Sequence, residues 1–361
     1  MRLSSNIHTR ISAKSVACRC RVQQGTSGVR SAIGAKADIT GDESWSNLLN
    51  GQFQNELNFL LNESSTTPCP GIYTVPRTPG AVWKHSHNFV TEQRAMQNNI
   101  QNARAKHFKS LHSPGNPLVL TNVWDGISAS AVASLPHTRA IATASAAIAA
   151  AASTSDDSLS LEQNLRAIRP VAMVAFKHDL PLTVDLQDGY GMELENILRE
   201  VITLGAVGIN LEDCSFEGQI YSIENQCDRI RRALGVAREE GLEDFVINAR
   251  TDALFAGGGI EDAIERGKAY LDAGAWNVFV WGGPSREGWG RDDVKRACQA
   301  FNGRLNVILD IKNEDALTIK ELEEIGVARI SVGPQIMHLM AAGIAQEAQR
   351  ILDGKSSIFE E

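Results

Sequence analysis

The chain lacks the features that mark several large classes of protein. Its 361 residues carry a net charge of −8 and its isoelectric point is near 5.6, so no basic surplus predicts a nucleic-acid-binding surface. No uninterrupted apolar run approaches the roughly 20 residues that span a bilayer. The densest run, residues 144–152, is short and rich in alanine. We therefore expect neither nucleic acid nor a membrane as a partner.

Cysteine usage and the amino-terminal composition bear on where the protein works. The six cysteines show neither zinc-ligand spacing nor the density of a disulfide framework, so a reduced, intracellular setting is the simplest interpretation. Residues 1–37 contain five Arg, two Lys and six Ser before the first acidic residue, Asp38. This composition is typical of an organelle transit peptide and equally of a disordered tail. Residues 1–40 are predicted to be one or the other, and the location to be mitochondrial or cytoplasmic.

Residues 41–95 are predicted to form an amphipathic helix followed by a linker. Over residues 42–62, large apolar side chains recur every three or four positions and share one helical face: Trp45, Leu49, Phe53, Leu57 and Leu60. That face could bind a partner, although docking on the chain's own body is the simpler expectation. Residues 63–95 contain four prolines among polar residues, which is typical of a linker. A helical pattern resumes from about Glu92 to Leu111.

From residue 96 onward, short apolar runs alternate with helical patterns. Eight runs occur, at residues 118–124, 140–145, 182–186, 208–212, 244–250, 277–282, 306–310 and 328–332. Such alternation predicts an α/β fold, a (β/α)8 TIM barrel, over residues 96–361. A doubly wound open sheet is the alternative, but that fold opens with a glycine-rich phosphate turn after its first strand. Residues 122–125 read Asn-Val-Trp-Asp instead. Pro170 falls inside a predicted helix, where we expect a kink or a break.

Polar side chains cluster at the predicted carboxyl ends of the first five strands, where barrel enzymes place their chemistry. The candidates are Asn122, Trp124 and Asp125; Thr143, Ala144 and Ser145; Asp185, Gln187 and Asp188; Glu212 and Asp213; and Asn248, Arg250 and Asp252. Asp156 follows in the loop region after the second strand. Oxygen ligands without imidazole or thiolate favour Mg2+ or Mn2+ over zinc. With Arg250, which can bind a carboxylate oxygen, they could bind an α-keto acid and stabilise an enolate.

Each acidic residue could instead cap the helix that follows its strand. For Asp188, Asp213 and Asp252 we expect this structural role, because Asp is a preferred N-cap residue. For Asp185 and Glu212 we expect a functional role, because both lie on strands that are otherwise apolar. A carboxylate in such a place is costly unless water, a cation or a basic ligand satisfies it.

Taken together, these segments are similar to the isocitrate lyase/phosphoenolpyruvate mutase superfamily. The similar segments are residues 117–125 (PLVLTNVWD), 141–145 (IATAS) with Asp156 eleven residues on, 185–191 (DLQDGYG), 211–213 (LED), 248–252 (NARTD) and 331–334 (SVGP). The resemblance extends over about residues 97–350 and includes all eight predicted strands in order.

The resemblance implies a set of site residues. Asp185 would be the direct Mg2+ ligand, and the other metal positions, which act mostly through waters, would be Asp156, Glu212 and Gln187. The substrate-binding positions would be Asn122, Trp124, Asp125, Thr143, Ala144, Ser145, Asn248 and Trp281. Among these, residues 143–145 would donate backbone and hydroxyl hydrogen bonds to a substrate carboxylate, while Arg250 would stabilise the enolate oxygen. Superfamily members commonly assemble with an exchanged terminal helix, so we expect a homodimer or homotetramer.

The sequence departs from the superfamily in three places. Gln187 stands where the third-strand motif has a second acidic residue. The lyases carry a Lys-Lys/Arg-Cys-Gly-His loop after the fourth strand, and the mutases a Lys-Thr-Asn-Ser loop. Residues 213–222 read DCSFEGQIYS, with Ile220 at the position of the lyase cysteine and Cys214 too close to Glu212 to replace it. Trp281 stands where the mutase pattern has a histidine. Metal and α-keto acid binding are therefore expected, but the bond that reacts is left open.

Three functions fit these observations. The first is a Mg2+-dependent lyase or decarboxylase that cleaves a C–C bond next to a small α-keto or 2-hydroxy di- or tricarboxylate through a pyruvate-type enolate. Its proton donor could be Tyr190, Glu217 or Tyr221. The second is a phosphonomutase acting on a P–C bond, although residues 214–226 contain no basic residue for its phosphoryl group. The third is a non-catalytic barrel that binds metabolites.

Overall fold

The computed structural model describes residues 81–283 and 289–355, with side chains from residue 96 onward. The predicted transit segment and the predicted helix over residues 42–62 lie outside these residues. Helix α1 begins at Ala81, well before the predicted Glu92, so the second half of the predicted linker is helical. The helices are α1 Ala81–Ser110, α2 Gly126–Ala133, α3 Ser145–Ala151, α4 Leu161–Lys177, α5 Leu194–Thr203, α6 Ile223–Glu239, α7 Ile260–Asp272, α8 Arg291–Ala300, α9 Ile319–Ile325 and α10 Gln335–Leu352.

All eight predicted strands are present, within the predicted runs or a few residues of them. They are β1 Leu118–Leu120, β2 Ile141–Ala142, β3 Leu182–Asp185, β4 Ala206–Glu212, β5 Val246–Thr251, β6 Asn277–Val280, β7 Leu305–Ile308 and β8 Arg329–Ser331. They form one parallel sheet in the order β1-β8-β7-β6-β5-β4-β3-β2. Between β1 and β2, the backbone N–H of Val123 donates to Ala142 O at 2.8 Å and brings the two ends together. The sheet is a nearly closed barrel with helices between its strands, which confirms the predicted fold and excludes the open sheet.

The core lies in two regions because each strand alternates between two faces. Outward-facing side chains pack against the amphipathic helices, whose apolar faces are buried as predicted, for example Ile197, Leu198 and Val201 of α5. The amino-terminal end of the barrel is closed by α1, whose Phe108 is fully buried. Gly208 permits this contact, since a Cβ there would lie 3.0 Å from the Phe108 ring and 2.9 Å from Val246 O.

Helix α4 continues through Pro170, so of the kink or break that the sequence predicts, the break does not occur. Proline removes one intrahelical hydrogen bond, but the helix is held at both sides of the proline. Ser160 and Gln163 form a capping box at its start, and Leu165, Ile168 and Val171 are buried against the barrel. This packing offsets the lost bond.

Helix α10 carries apolar side chains that the rest of the described chain leaves exposed. Only Gln335 and Met337 of this helix are buried, whereas Leu339, Ile344 and Ile351 are more than half exposed. Among the described residues, no helix combines the length and the hydropathy that crossing a membrane requires.

Candidate active site

The acidic residues and Arg250 meet at the carboxyl-terminal mouth of the barrel because they end three neighbouring strands. Asp185 ends β3, Glu212 ends β4, and Arg250 lies near the end of β5. In the register of the sheet, Asp185 lies beside Asn210 and Glu212 lies beside Arg250. Asp185, Glu212 and Arg250 therefore lie close together at the mouth, although 20 or more positions separate each from the next in sequence.

Arg250 is held by two carboxylates and an aromatic ring. Its Nε and Nη2 donate to the two oxygens of Asp252 at 2.6 and 2.8 Å, and its Nη1 lies 2.8 Å from Glu212 Oε2. The Trp281 ring lies 4.2 Å from the guanidinium carbon, within the range of a cation–π contact. Burial opposes the positive charge, but Asp252 and Glu212 outweigh it and raise the pKa of Arg250 above its ordinary value. Arg250 is thus a fixed cation in a fixed orientation.

Asp185 is a buried carboxylate that forms no ion pair with any described residue. Its side chain is 8% exposed, and its Oδ2 accepts a hydrogen bond from the backbone N–H of Ser145 at 3.1 Å. The backbone N–H of Asp185 donates to the Thr143 hydroxyl at 2.9 Å, which fixes the strand end. An ionised carboxylate buried with neutral donors alone is unfavourable, so this group is suited to bind a cation.

Asp156 and Gln187 form a pair next to Asp185. The Gln187 Nε2 donates to Asp156 O at 2.8 Å and to Asp156 Oδ1 at 3.1 Å. Burial and then the charge of Asp185 raise the pKa of Asp156 to about 6. Burial also raises the pKa of Glu212, with the charges of Asp252, Asp185 and Asp156 acting in the same direction, although Arg250 opposes them. These carboxylates therefore repel one another across a shared space.

The donor set fits a hard cation that keeps its waters. Four carboxylates, those of Asp156, Asp185, Glu212 and Asp252, lie around the Arg250 guanidinium, so the described part of the mouth has a surplus of negative charge. Within residues 81–283 and 289–355, no three His, Cys, Asp or Glu side chains lie close enough to hold a metal ion directly. Mg2+ usually keeps several waters and needs one or two carboxylates. Asp185 could hold it directly while Asp156 and Glu212 bind its waters.

The turn after β3 is conformationally strained. Gln187 and Tyr190 have left-handed backbones, with φ of 52° and 56°, which non-glycine residues rarely adopt. Gly189 also has positive φ, and a Cβ there would lie 2.6 Å from Leu194 Cδ1. The turn places the Tyr190 hydroxyl 2.9 Å from Asn164 Nδ2, which also donates to Asp185 O. Strain of this kind is typical of functional sites.

The N-cap role expected for three aspartates is wrong in each case. The fully buried Asp213 accepts hydrogen bonds from the Tyr270 hydroxyl at 2.6 Å and the Thr251 hydroxyl at 2.8 Å. Asp188 accepts from the Tyr221 hydroxyl and from the backbone N–H of Tyr190, both at 2.9 Å. Asp252 binds Arg250 as described above. All three are bonded to side chains that cap statistics do not consider.

Several predicted substrate-binding residues have structural partners. The Asn122 amide bonds the backbones of Thr143, Val332 and Gly333. Asp125 is the residue that does cap a helix, forming a capping box with Ser128 at the start of α2.

Two further residues of the predicted set face away from open solvent. Trp124 is 3% exposed and packs in an apolar cluster with Ala144. Asn248 donates to Asn210 Oδ1 at 2.9 Å, one layer below the mouth. Contact of these four residues with a substrate stays a prediction. The other predicted substrate-binding residues lie directly beside Asp185 or Arg250: Thr143, Ala144 and Ser145 beside Asp185, and Trp281 beside Arg250.

Sequence reasoning missed Asn164 and Asn210. Asn210 alternates with Gly208 and Glu212 on the inner face of β4, so strand periodicity could have placed it next to the site. Asn164 lies within α4, where nothing in the local sequence distinguishes it from a surface residue.

The chain is similar to proteins of one family. The sequence model described as phosphoenolpyruvate phosphomutase matches residues 108–352. An uncharacterized protein of Mycobacterium tuberculosis is 32% identical over 256 residues, which covers 69% of this chain and 90% of that protein. The 2-methylisocitrate lyase of Escherichia coli is 42% identical over 111 residues, 28% of this chain and 36% of the lyase. The crystal structure of a proposed phosphonomutase of Burkholderia cenocepacia matches with a TM-score of 0.60 and 32% identity, covering 68% of this chain and 99% of that one.

Proposed function

The chain belongs to the phosphoenolpyruvate phosphomutase family, and from this premise we propose that it is a Mg2+-dependent carbon–carbon lyase. The family consists of enzymes that include lyases, mutases and hydrolases, and its members use Mg2+. The proposed substrate is a small α-keto or 2-hydroxy di- or tricarboxylate that is cleaved through a pyruvate-type enolate. The observation that carries the proposal is the buried Asp185 carboxylate, which has no ion pair among the described residues and lies beside the raised-pKa carboxyl of Asp156.

The metal would supply a positive charge next to the developing enolate oxygen. Asp185 would hold it, and Asp156 and Glu212 would orient its waters. The Ser145 hydroxyl, next to Asp156, would donate to the substrate carboxylate, because the backbone N–H groups of Ala144 and Ser145 already donate to Val123 O and Asp185 Oδ2. Two of the five N–H donors of Arg250 are hydrogen-bonded to Asp252 and its Nη1 forms an ion pair with Glu212, so N–H groups remain for the enolate oxygen.

Tyr190 is the best placed of the three candidate proton donors. Its hydroxyl accepts a hydrogen bond from Asn164, so its own proton is available for a reaction. Burial raises its pKa, which keeps it protonated. The proton of Tyr221 is donated to Asp188, and Glu217 is exposed at the tip of the β4–α6 loop.

A phosphonomutase is the second candidate, and a non-catalytic metabolite-binding barrel is the third. A transferred phosphoryl group needs several cationic donors. Arg250 is already bonded to two carboxylates, and residues 214–226 contain no Lys or Arg. These observations favour the lyase.

Assays with oxaloacetate, methylisocitrate and phosphonopyruvate test the proposal, each run with Mg2+ and again after chelation. We expect Mg2+-dependent cleavage of a carbon compound. Turnover of phosphonopyruvate alone would favour the mutase class instead, and turnover of none would favour the non-catalytic barrel.

We propose in addition that the chain is a homodimer or homotetramer in which a second copy covers α10. The helix exposes Leu339, Ile344 and Ile351 to solvent, which is unfavourable in a single copy. Light scattering of the purified protein should give at least twice the mass of one chain. Ile344→Glu, which places a charge in this face, should lower that mass.

For location, we propose mitochondrial import directed by residues 1–40. A fluorescent reporter fused to these residues should enter mitochondria, and a reporter that stays in the cytosol would assign the protein there.

A further inference from the structure

The middle of the barrel interior is polar, directly below the mouth. Barrel interiors are usually filled by branched apolar side chains. Here one inner layer, which we call the polar layer, consists of Thr183, Asn210, Asn248, Asn277, Asn306 and Arg329. Each alternates along its strand with residues of the outer apolar core, such as Val307 and Ile330.

Arg329 crosses this layer from one side of the barrel to the other. It begins β8, and its Nη2 donates to Asn210 Oδ1 at 3.2 Å on β4, which is the strand diametrically opposite. The Asn248 amide donates to the same oxygen at 2.9 Å. The guanidinium is therefore fixed across the interior by side chains two residues below Glu212 and Arg250, roughly 7 Å along the strands.

No described carboxylate pairs with Arg329, although its side chain is 1% exposed. A buried charge without a partner destabilises a fold, and an apolar side chain of similar volume would serve the packing as well or better. The acidic residue next to this arrangement is Asp185, which lies beside Asn210 in the β3–β4 register. The stability of the barrel therefore does not account for a buried arginine at this position, whereas the acidic mouth above it, with Asp185 beside Asn210, does.

We propose that Arg329 is a positioning residue whose fixed positive charge, held across the barrel on Asn210, supports the ionised Asp185 and the enolate oxygen bound above it. The inference rests on the proposed function, because it needs an anion at the mouth. Burial lowers the pKa of Arg329 to about 9 and Asp185 acts in the opposite direction, so the guanidinium remains charged at neutral pH. Its field also reaches His112 below, where burial and then Arg329 lower the pKa of the imidazole to about 3.

A positive charge below the site has opposite effects on a cation and on an anion bound there. It should weaken Mg2+ binding and strengthen binding of oxalate, an enolate mimic, at saturating Mg2+. Calorimetry measures both affinities without turnover. For Arg329→Met and Arg329→Gln we expect Mg2+ to bind more tightly and oxalate more weakly, each by a factor on the order of ten. Arg329→Lys keeps the charge and should stay near the wild-type values.

The control is Arg166→Gln on the exposed face of α4, which removes the same charge from the surface and should change neither affinity. Arg329→Met and Arg329→Gln differ in shape and polarity, so if one of them does not fold, the affinities of the other still test the inference. Affinities that fall together, or do not change, would show that Arg329 only supports the barrel and would overturn the inference with the lyase proposal intact. A wild-type protein that does not bind oxalate with Mg2+ would overturn both.

Discussion

Arg250 and Asp252, two residues apart in β5 and the turn that follows, form a bidentate ion pair at the mouth of the barrel, with Nε–Oδ1 and Nη2–Oδ2 distances of 2.6 and 2.8 Å. The side chain of Asp252 is 3% exposed and that of Arg250 is 12% exposed. Two parallel hydrogen bonds fix the plane of the guanidinium as well as its position. Asp252 therefore determines which N–H groups of Arg250 point to the space above Asp185.

Asp252→Asn should weaken oxalate binding in the presence of Mg2+ by about ten-fold, because an amide cannot accept both hydrogen bonds and Arg250 loses its orientation. Calorimetry at saturating Mg2+ measures this. Asp262→Asn is the control, since Asp262 also pairs with an arginine, through one hydrogen bond from Arg266 Nε at 3.1 Å, but is 41% exposed and lies outside the mouth. Equal affinities in wild type and Asp252→Asn would show that Arg250 does not contact the anion.

Asp185→Ala should weaken metal-dependent oxalate binding by at least about a hundred-fold, because Mg2+ would keep only water-mediated contacts with the protein. The variant should still fold, since the lost carboxylate forms no ion pair among the described residues. Asp272→Ala, which removes an exposed carboxylate at the end of α7, is the control. Undiminished binding in Asp185→Ala would remove the proposed metal site.

Tyr270→Phe should lower the free energy of unfolding by about 1–3 kcal/mol, because the buried Asp213 carboxylate loses a donor at 2.6 Å while Arg266, at 3.4 Å, remains. Denaturant titration measures the loss. Tyr221→Phe removes a hydroxyl from the partly exposed Tyr221–Asp188 bond and should cost less. If the two substitutions lower the free energy of unfolding equally, the burial of Asp213 does not increase the contribution of its hydrogen bonds to stability.

The barrel could be predicted from the sequence because its signals are local. Each strand is a short apolar run, and the apolar residues of each helix face recur within a few positions. The alternation of strands and helices can therefore be recognised without knowledge of any tertiary contact. Pro170 is the exception, since the packing that keeps α4 continuous comes from the barrel wall and not from the helix itself.

The site was predicted only in part, because its decisive contacts are distant in sequence. The aspartates 188, 213 and 252 were assigned to caps on local statistics, whereas Asp213 is bonded to Tyr270, 57 residues on. The contact between Asn210 and Arg329 joins residues 119 positions apart on opposite strands. Neither side chain has a neighbour in sequence that indicates its role. By contrast, the functional role predicted for Asp185 and Glu212 rests on a local signal, because a carboxylate at the end of an apolar strand is unusual by itself.

In the metal-free protein, the contribution of Asp156 to stability should fall as the pH rises from about 4 to about 6. A free Asp carboxyl titrates near 3.9, whereas burial and the charge of Asp185 raise the pKa of Asp156 to about 6 in the folded chain. Between these values Asp156 binds more protons in the folded state than in the unfolded state, so its contribution to the unfolding free energy falls with pH and levels off above 6. Since Asp156 is partly exposed, its contribution should be on the order of 1 kcal/mol. Glu212 acts in the same direction, because its pKa is raised as well.

The difference between wild type and Asp156→Asn isolates the part due to Asp156. In denaturant titrations from pH 4 to 8 with a chelator present, the unfolding free energy of the wild type should fall relative to that of the variant by about 1 kcal/mol between pH 4 and 6, so that the variant is the more stable of the two above pH 6. Mg2+ should reverse this order, because a cation stabilises the ionised Asp156 that is unfavourable without it. If the unfolding free energies of the two metal-free proteins change with pH in parallel, Asp156 is ionised at no cost in the folded state. Repulsion among these carboxylates would then not contribute to cation binding at the mouth.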